Sequence, residues 1–235
     1  MHLLKSEEYD LTILMPCLNE EKTIGYCLGE AKKFIEKRYI NAELLIADNG
    51  STDKSIEIAK SIGARVVKET TKGYGAALRT GLCNSQGRYI IFADCDSTYD
   101  FEHLELLYEA LVDGADAVIG NRFAGGFQKD SSSFIHRLGV RFLSQLGRMR
   151  FHSDIYDFHC GLRGISRKAL EQIEFNTDGF EFATEFIGKL SMDNYRIDSV
   201  PVILRKSIVE RTPHLKTISD GLRHLTYIIN YKKGA

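Results

Sequence analysis

The sequence has few of the residue patterns that mark secreted, zinc-binding or membrane-spanning proteins. It contains no tryptophan, three prolines and five cysteines, and no two cysteines form a CxxC pair. This spacing favours reduced thiols over a disulfide framework or a zinc site. Apolar runs stay well short of the ~20 residues that a membrane-spanning helix needs, and the N-terminus turns acidic too early for a signal peptide. We therefore expect a cytoplasmic protein, either soluble or attached peripherally to the cytosolic face of a membrane.

An excess of charge of one sign is also missing. The 31 basic and 32 acidic residues give a formal net charge of −1. A nucleic-acid-binding domain would show a basic face or a high isoelectric point, so we predict no nucleic-acid partner. What remains is the composition of an ordinary globular protein, 43% hydrophobic and 27% charged over 235 residues, which is long enough to bury a substantial core.

Short apolar runs alternate with longer amphipathic stretches in the first half of the chain. This alternation predicts an α/β fold with a mainly parallel sheet flanked by helices, whose ligands bind beyond the carboxyl ends of the strands. After residue 122 the rhythm changes to a loop rich in glycine and serine, followed by further elements. Strands are predicted at 11–16, 42–48, 64–69, 88–94, 115–121 and 196–204, and helices at 20–36, 53–62, 73–84, 101–113, 134–148 and 179–192.

Three acids lie at and after the end of the fourth predicted strand, in the segment ADCDSTYD. Asp94 and Asp96 are separated by one residue, so their carboxylates can converge on a hard divalent cation such as Mg²⁺ or Mn²⁺. The alternative is a helix cap, in which a carboxylate accepts hydrogen bonds from first-turn amides. One cap needs one acid, so we assign Asp100 to the cap and the other two to a metal. Cys95, between them, is interpreted as a small core residue.

Two further loops carry polar residues at predicted strand ends. Asp48 ends the second strand, and its carboxylate can accept hydrogen bonds from a base or a ribose, whereas a turn and a helix start account for the residues from Asn49 to Asp53. Pro16 ends the first strand. Helix capping accounts for Asn19, and Glu20 can face a ligand.

In their order and spacing, the segments PCLNEE, ADNGSTD, KGYGAALRTGL, DCD and GNRFAGG resemble the family 2 glycosyltransferases with the GT-A fold. Within that family they are most similar to the polyprenyl-phosphate glycosyltransferases related to dolichyl-phosphate mannose synthase. The likeness continues through DFHCGLRGISR, GFEFATEF, VPVIL, RTPHL and DGLRHL. It implies a single GT-A domain over 1–235, in which about 10–122 bind the nucleotide sugar and about 123–235 bind the acceptor and end in an amphipathic helix.

The resemblance implies an enzyme that moves a hexose from a UDP- or GDP-sugar to a polyprenyl phosphate. Asp94 and Asp96 would bridge Mg²⁺ or Mn²⁺ to the donor diphosphate, and Arg122 would act with them in catalysis. The implied donor-binding residues are Pro16, Asn19, Glu20, Asp48, Lys72, Asp94 and Arg211. The implied acceptor-phosphate residues are Arg122, Arg137 and Arg141, and Glu181 is the implied sugar contact.

The chemistry of the acceptor distinguishes this interpretation from its rivals. A lipid phosphate is already anionic and can attack the anomeric carbon without a strong general base, whereas a hydroxyl acceptor needs one. Arginine suits phosphate because its planar fork donates two hydrogen bonds at once. Two alternatives stay open: transfer to a saccharide or protein acceptor, and a nucleotide-sugar-binding protein without turnover.

Other second-half residues have structural explanations that stay open as well. Arg163 can brace Asp157 or contact substrate, and Glu181 and Glu185 share one helical face that is either solvated or in contact with the sugar. The helix near the C-terminus carries an apolar stripe that can lie in a membrane interface or pack on the core of the domain. Its members are Ile218, Leu222, Leu225 and Ile229.

Overall fold

The computed structural model describes residues 8–210 and 217–232. The strands are β1 (Tyr9–Cys17), β2 (Ala42–Asp48), β3 (Arg65–Lys68), β4 (Gly87–Phe92), β5 (Ala117–Asn121), β6 (Arg163–Ser166) and β7 (Ile197–Pro201). The helices are α1 (Ile24–Arg38), α2 (Ser55–Ser61), α3 (Tyr74–Asn84), α4 (Glu105–Val112), α5 (Arg122–Gly125), α6 (Phe134–Phe151), α7 (Arg167–Leu170), α8 (Phe182–Met192) and α9 (Thr217–Asn230). In the described part of the chain, no helix is long and apolar enough to cross a bilayer.

The strands form one sheet in the order β3-β2-β1-β4-β6-β5-β7. β1 lies between β2 and β4 and is parallel to both, and its residues from Leu11 to Cys17 are all buried. Such a continuous apolar strand is typical of a sheet covered on both faces. The predicted α/β fold with a mainly parallel sheet is confirmed.

One strand was not predicted from the sequence. β6 comes from the second half of the chain and pairs antiparallel with both β4 and β5, so it lies between two strands of the first half. Arg163 and Gly164 begin this strand, and neither residue type favours a strand by itself. β7 also differs from its prediction, because it ends at Pro201 instead of reaching residue 204.

The register of the parallel strands brings the predicted donor loops together. Cys17 at the end of β1 lies opposite Asp48 at the end of β2. β4 ends at Phe92, paired with Leu14, so Asp94 and Asp96 lie in the loop beyond the strand instead of at its last residue. All three loops therefore leave the same edge of the sheet, which is where ligands bind in α/β folds.

Candidate active site

The loop after β1 is bound to the loop after β2 by hydrogen bonds. Asn19 Oδ1 accepts from the backbone N–H of Thr52 at 2.8 Å, and the N–H of Glu20 donates to Ser55 Oγ at 2.8 Å. Asn19 adopts a left-handed conformation with φ of 57°. The prediction that Asn19 caps the first helix is therefore wrong, because α1 begins at Ile24 and Asn19 instead links the two loops.

Asp48 lies at the end of β2 and is only 4% exposed. Its Oδ1 accepts from the N–H of Ser51 at 2.8 Å, which fixes the orientation of the carboxylate. The next residue, Asn49, donates through Nδ2 to two backbone carbonyls in the loop at 69–71 and accepts from the N–H of Gly73 at 2.9 Å. Lys72 Nζ donates to the Asn49 carbonyl at 2.8 Å. Asn49 thus connects Lys72 to the Asp48 loop. From the sequence, Asn49 was expected only to form a turn.

Asp96, in the acidic loop after β4, is buried, with 8% of its surface exposed. Asp96 Oδ1 accepts from the N–H of Thr98 at 2.9 Å, and Ser97 between them has φ of 65°. Cys95 is buried and its Sγ donates to the carbonyl of Pro16 at 3.2 Å, so it is a core residue as predicted. These bonds orient the Asp96 carboxylate and hold its loop next to the loop after β1.

Asp100 caps a turn and not the following helix. Its Oδ1 accepts from the N–H of Glu102 at 3.1 Å, whereas α4 begins at Glu105. The other oxygen of Asp100 forms an ion pair with Arg205, which also pairs with Glu30 at 2.7 Å. Asp100 therefore accepts a hydrogen bond from a backbone N–H, as a capping residue does, but the prediction that it caps the following helix is wrong.

Asp94 is partly exposed and faces the phenol of Tyr74, the first residue of α3. Burial and the neighbouring Asp94 charge raise the pKa of Tyr74 well above its usual value, so the phenol stays protonated and donates to the carboxylate. The Tyr74 ring stacks on Phe180 with 5.0 Å between ring centroids. Gly161 also lies close to this carboxylate, because a Cβ there would lie 3.1 Å from Asp94 Oδ2.

The start of α3 is covered closely by the loop before α8. A Cβ on Gly73 would lie 2.1 Å from the carbonyl oxygen of Asp178, and Gly73 itself has φ of 148°. A Cβ on Gly75 would lie 2.4 Å from the carbonyl oxygen of Thr177. Both glycines in KGYG are therefore required by the close approach of a loop from the second half of the chain.

Glu181 and Glu185 differ sharply in their surroundings. Glu185 is fully buried, accepts from the N–H groups of Asn176 and Thr177, and pairs with Lys189 at 3.0 Å. Glu181 accepts from Gly179 N–H at 3.3 Å through Oε1, but its Oε2 is buried without a hydrogen-bond partner among the described residues. A shared solvated face is therefore wrong for this pair, and Glu181 has a carboxylate oxygen that a ligand can use.

Arg122 and Asp157 form a buried ion pair. Arg122 is 6% exposed, and its Nε and Nη2 donate to the two oxygens of Asp157 at 2.8 Å each. Arg163 instead donates to three backbone carbonyls, so the interpretation that it braces Asp157 is wrong. Because Asp157 occupies one edge of the Arg122 fork, a phosphate ligand has to bind the Nη1 edge or displace Asp157.

Arg137 and Arg141 of α6 lie close to the start of α5. The Arg141 guanidinium lies 4.7 Å from the ring centroid of Phe123, which follows Arg122, and that of Arg137 lies 5.2 Å from the ring of Phe127. Cation–π contacts of this kind restrict the side chains without consuming all their N–H donors. The structure thus brings all three predicted acceptor-side arginines to one region.

Arg211 and the RTPHL segment lie outside the described residues. The chain that leads to them is fixed on the acidic loop: Ser207 Oγ donates to the Asp96 carbonyl at 2.8 Å, and the N–H of Ile208 donates to Ser97 Oγ at 3.0 Å. Arg205 adds a backbone bond to the Thr98 carbonyl at 2.8 Å. Sequence reasoning missed Arg205, whose only signal is an arginine shortly after a strand.

More than half of the chain matches the model of one protein family. Residues 12–174 match the family model described as Glycosyl transferase family 2. The chain belongs to glycosyltransferase family 2. The low-salt glycan biosynthesis hexosyltransferase Agl6 of Haloferax volcanii is 33% identical to this glycosyltransferase over 221 residues, which cover 93% of the chain and 53% of that relative. This glycosyltransferase therefore spans about half the length of that relative.

Two further comparisons cover most of the chain. The dolichyl-phosphate hexose transferase of Haloferax volcanii is 30% identical over 197 residues, covering 84% of this glycosyltransferase and 83% of that protein. The crystal structure of glucosyl-3-phosphoglycerate synthase from Mycobacterium tuberculosis, in complex with Mn²⁺, UDP and glucosyl-3-phosphoglycerate, has a TM-score of 0.73 at 21% identity. It covers 97% of this chain and 82% of that structure. This structural likeness confirms the predicted GT-A fold.

The donor set of the glycosyltransferase suits a hard divalent ion. In residues 8–210 and 217–232, no group of three or more His, Cys, Asp or Glu side chains is arranged to hold a metal by itself. Asp94 and Asp96 supply carboxylate oxygens, which Mg²⁺ and Mn²⁺ accept, and such ions commonly complete their coordination with water and substrate phosphates. The two acids therefore fit a metal that is shared with a diphosphate.

Replacing Tyr74 with phenylalanine removes the phenol that faces Asp94 and leaves the stack on Phe180. We expect a roughly tenfold to hundredfold weaker Mn²⁺ affinity in the presence of UDP, the usual effect of losing a hydrogen bond behind a metal ligand. Calorimetric titration of Mn²⁺ measures it. Tyr26→Phe, on the exposed side of α1, is the control. An unchanged affinity in Tyr74→Phe would show that the phenol does not orient Asp94.

Proposed function

We propose that this glycosyltransferase moves a hexose from a UDP- or GDP-hexose to a polyprenyl phosphate, with Mg²⁺ or Mn²⁺ as cofactor. The observation that carries the proposal is the relationship to a dolichyl-phosphate hexose transferase over 84% of the chain and 83% of that relative. The acceptor-side arginines support it, because they gather at the start of α5 where an anionic acceptor can approach the acidic loop.

On the donor side, the loops after β1, β2 and β4 provide the contacts. Asp48 accepts hydrogen bonds from the nucleoside, and Lys72 contributes a positive charge near it. Asp94 and Asp96 hold the metal, with Tyr74 and Thr98 donating to their carboxylates. A metal held there would neutralise charge that develops on the departing nucleoside diphosphate.

On the acceptor side, the phosphate oxygen attacks the anomeric carbon while the bond to the nucleoside diphosphate breaks. The attacking oxygen is already anionic, so no side chain has to remove a proton from it. Arg122, Arg137 and Arg141 bind and orient the phosphate. The ion pair of Arg122 with Asp157 limits its rotation and directs the remaining donors of the guanidinium.

One observation favours a second candidate. The buried Oε2 of Glu181 lacks a hydrogen-bond partner among the described residues, and such a carboxylate oxygen can serve as a general base. A hydroxyl acceptor, on a saccharide or a protein, would need that base. In the polyprenyl-phosphate proposal the same oxygen binds a hydroxyl group of the donor sugar.

A substrate panel tests the proposal against this rival. UDP- and GDP-linked hexoses are incubated with Mn²⁺ or Mg²⁺ and with dolichyl phosphate, undecaprenyl phosphate or a free saccharide. We expect a lipid-linked hexose from at least one nucleotide sugar and no product after chelation of the metal. Glu181→Gln separates the two functions, because it should stop transfer to a hydroxyl and only weaken transfer to a phosphate. Efficient transfer to the free saccharide alone would favour the rival.

A further inference from the structure

Helix α6 exposes a row of large apolar side chains, which we call the α6 apolar stripe: Phe134, Ile135, Leu138, Phe142 and Met149. These residues are between 58% and 79% exposed. At 3.6 residues per turn they fall within an arc of about 100° on the helix surface. A soluble helix normally turns such an arc towards the core, so its exposure on α6 requires an explanation.

The stripe is not the face that packs on the domain. The buried residues of α6 lie on the opposite side of the helix: Val140, Ser144, Gly147 and Phe151. A Cβ on Gly147 would lie 2.7 Å from the ring of Phe158, which shows how closely that side is packed. α6 therefore has one face fixed in the fold and a second apolar face turned outwards.

The charge on α6 is entirely positive. No aspartate or glutamate occurs between Ser131 and Phe151, whereas the helix carries Arg137, Arg141, Arg148 and Arg150. By the helical repeat, the first three of these arginines follow one edge of the stripe. The whole chain has a net charge of −1, so α6 concentrates positive charge at this surface.

Helix α9 packs beside α6 and adds to the exposed apolar area. Leu222 and Ile229 are exposed, whereas His224 and Ile228 are buried against the domain. Arg150 Nη2 donates to the Tyr231 carbonyl at 2.6 Å, which connects α6 to the end of α9. Among the residues whose side chains the structure describes, one face of this helix thus packs on the domain, and the membrane-interface interpretation of the exposed face stays a prediction.

We propose that the α6 apolar stripe docks the glycosyltransferase on an anionic lipid bilayer, with α6 lying parallel to the membrane surface. The apolar side chains enter the boundary between headgroups and acyl chains, and the flanking arginines contact lipid phosphates. A second copy fits this face poorly, because a symmetric contact would bring the arginines of both copies together.

Docking in this orientation deepens the proposed function and rests on it only for the identity of the acceptor. Arg137 and Arg141, which that function assigns to the acceptor phosphate, stand at the edge of the stripe. They would lie at the level of the lipid phosphates, where the headgroup of a membrane-embedded polyprenyl phosphate is found. The acceptor could then be bound without leaving the bilayer.

The absence of tryptophan from the chain provides a direct test. Phe142→Trp places a single fluorophore on the stripe, and Tyr39→Trp places one at an exposed site that follows α1 as a matched control. Each variant is mixed, without substrates, with vesicles of phosphatidylglycerol and phosphatidylcholine. We expect a blue shift and quenching by brominated acyl chains for Phe142→Trp only, with less of both in pure phosphatidylcholine and at high salt.

A second pair of variants measures the affinity. Leu138→Ser with Met149→Ser should lower the vesicle partition coefficient by roughly tenfold or more, while Leu106→Ser on α4 should leave it unchanged. Equal partitioning of all variants, equal shifts at both tryptophans, or self-association through this face in lipid-free sedimentation would overturn the docking proposal. Transfer to a short, water-soluble prenyl phosphate is measured in parallel and should persist in Leu138→Ser with Met149→Ser. If the unmodified protein does not transfer a hexose to the water-soluble prenyl phosphate, that result would count against the proposed function and not against membrane docking.

Discussion

Replacing Asp94 with asparagine is expected to reduce hexose transfer by about 10²–10³, the range found when one group that stabilises developing charge is removed. The side chain keeps its size, and Tyr74 can still donate to the amide oxygen. What is lost is one negative charge at the proposed metal site. In calorimetry, the affinity for UDP or GDP should become independent of Mn²⁺, whereas the parent protein should lose nucleotide affinity when the metal is chelated.

Two measurements distinguish this result from damage to the fold. Asp154→Asn makes the same change at an exposed acid and should retain full transfer. The melting temperature of Asp94→Asn should equal or exceed that of the parent, because a carboxylate held for a ligand often reduces stability in its absence. Metal-dependent nucleotide binding that survives in Asp94→Asn would assign the metal to other ligands.

The part of the site that the sequence predicted is the part made by local patterns. An apolar run that ends in an acid indicates a strand end, and the parallel arrangement then brings Asp48 and Asp94 to the same edge of the sheet. Neither step requires knowledge of distant contacts. Lys72, by contrast, was placed on the donor side only by the family resemblance, and the structure brings its Nζ to the carbonyl of Asn49, next to Asp48.

The part that the sequence could not predict depends on contacts between distant segments. Arg205 reaches Glu30 and Asp100, which lie 175 and about a hundred positions away, and nothing in its flanking residues indicates those partners. β6 is a strand because it fills the space between β4 and β5, although it begins with arginine and glycine. Of the two alternatives left open for Arg163, bracing of Asp157 is wrong for a similar reason, since Arg163 is close to Asp157 in sequence but Arg122 is close to it in space.

Breaking the Arg122–Asp157 pair is expected to lower the free energy of unfolding by more than breaking one of the surface ion pairs. Asp157 is fully buried, so Arg122→Ala would leave an unpaired carboxylate in the interior. Breaking such a pair typically costs about 3–5 kcal/mol. We therefore expect Arg122→Ala to lower the melting temperature strongly, which by itself would explain a loss of transfer. Chemical denaturation measures the change, and an effect below about 1 kcal/mol would indicate that the pair is open to solvent.

A double variant separates this structural role from the binding of the acceptor. Arg122→Met combined with Asp157→Asn removes both charges of the pair, and the asparagine oxygen can still accept from the backbone N–H of Arg122, which bonds Asp157 in the parent, so no buried charge is left unpaired. We expect the double variant to regain the parent melting temperature and donor affinity. Its apparent constant for polyprenyl phosphate should remain ten- to a hundredfold higher, because a charge-assisted phosphate contact contributes ~1.5–3 kcal/mol. Arg122→Lys should rescue only part of that difference, since lysine supplies charge without the fork. If the stable double variant used polyprenyl phosphate as well as the parent does, Arg122 would serve the fold alone, and the acceptor phosphate would have to be bound by Arg137 and Arg141.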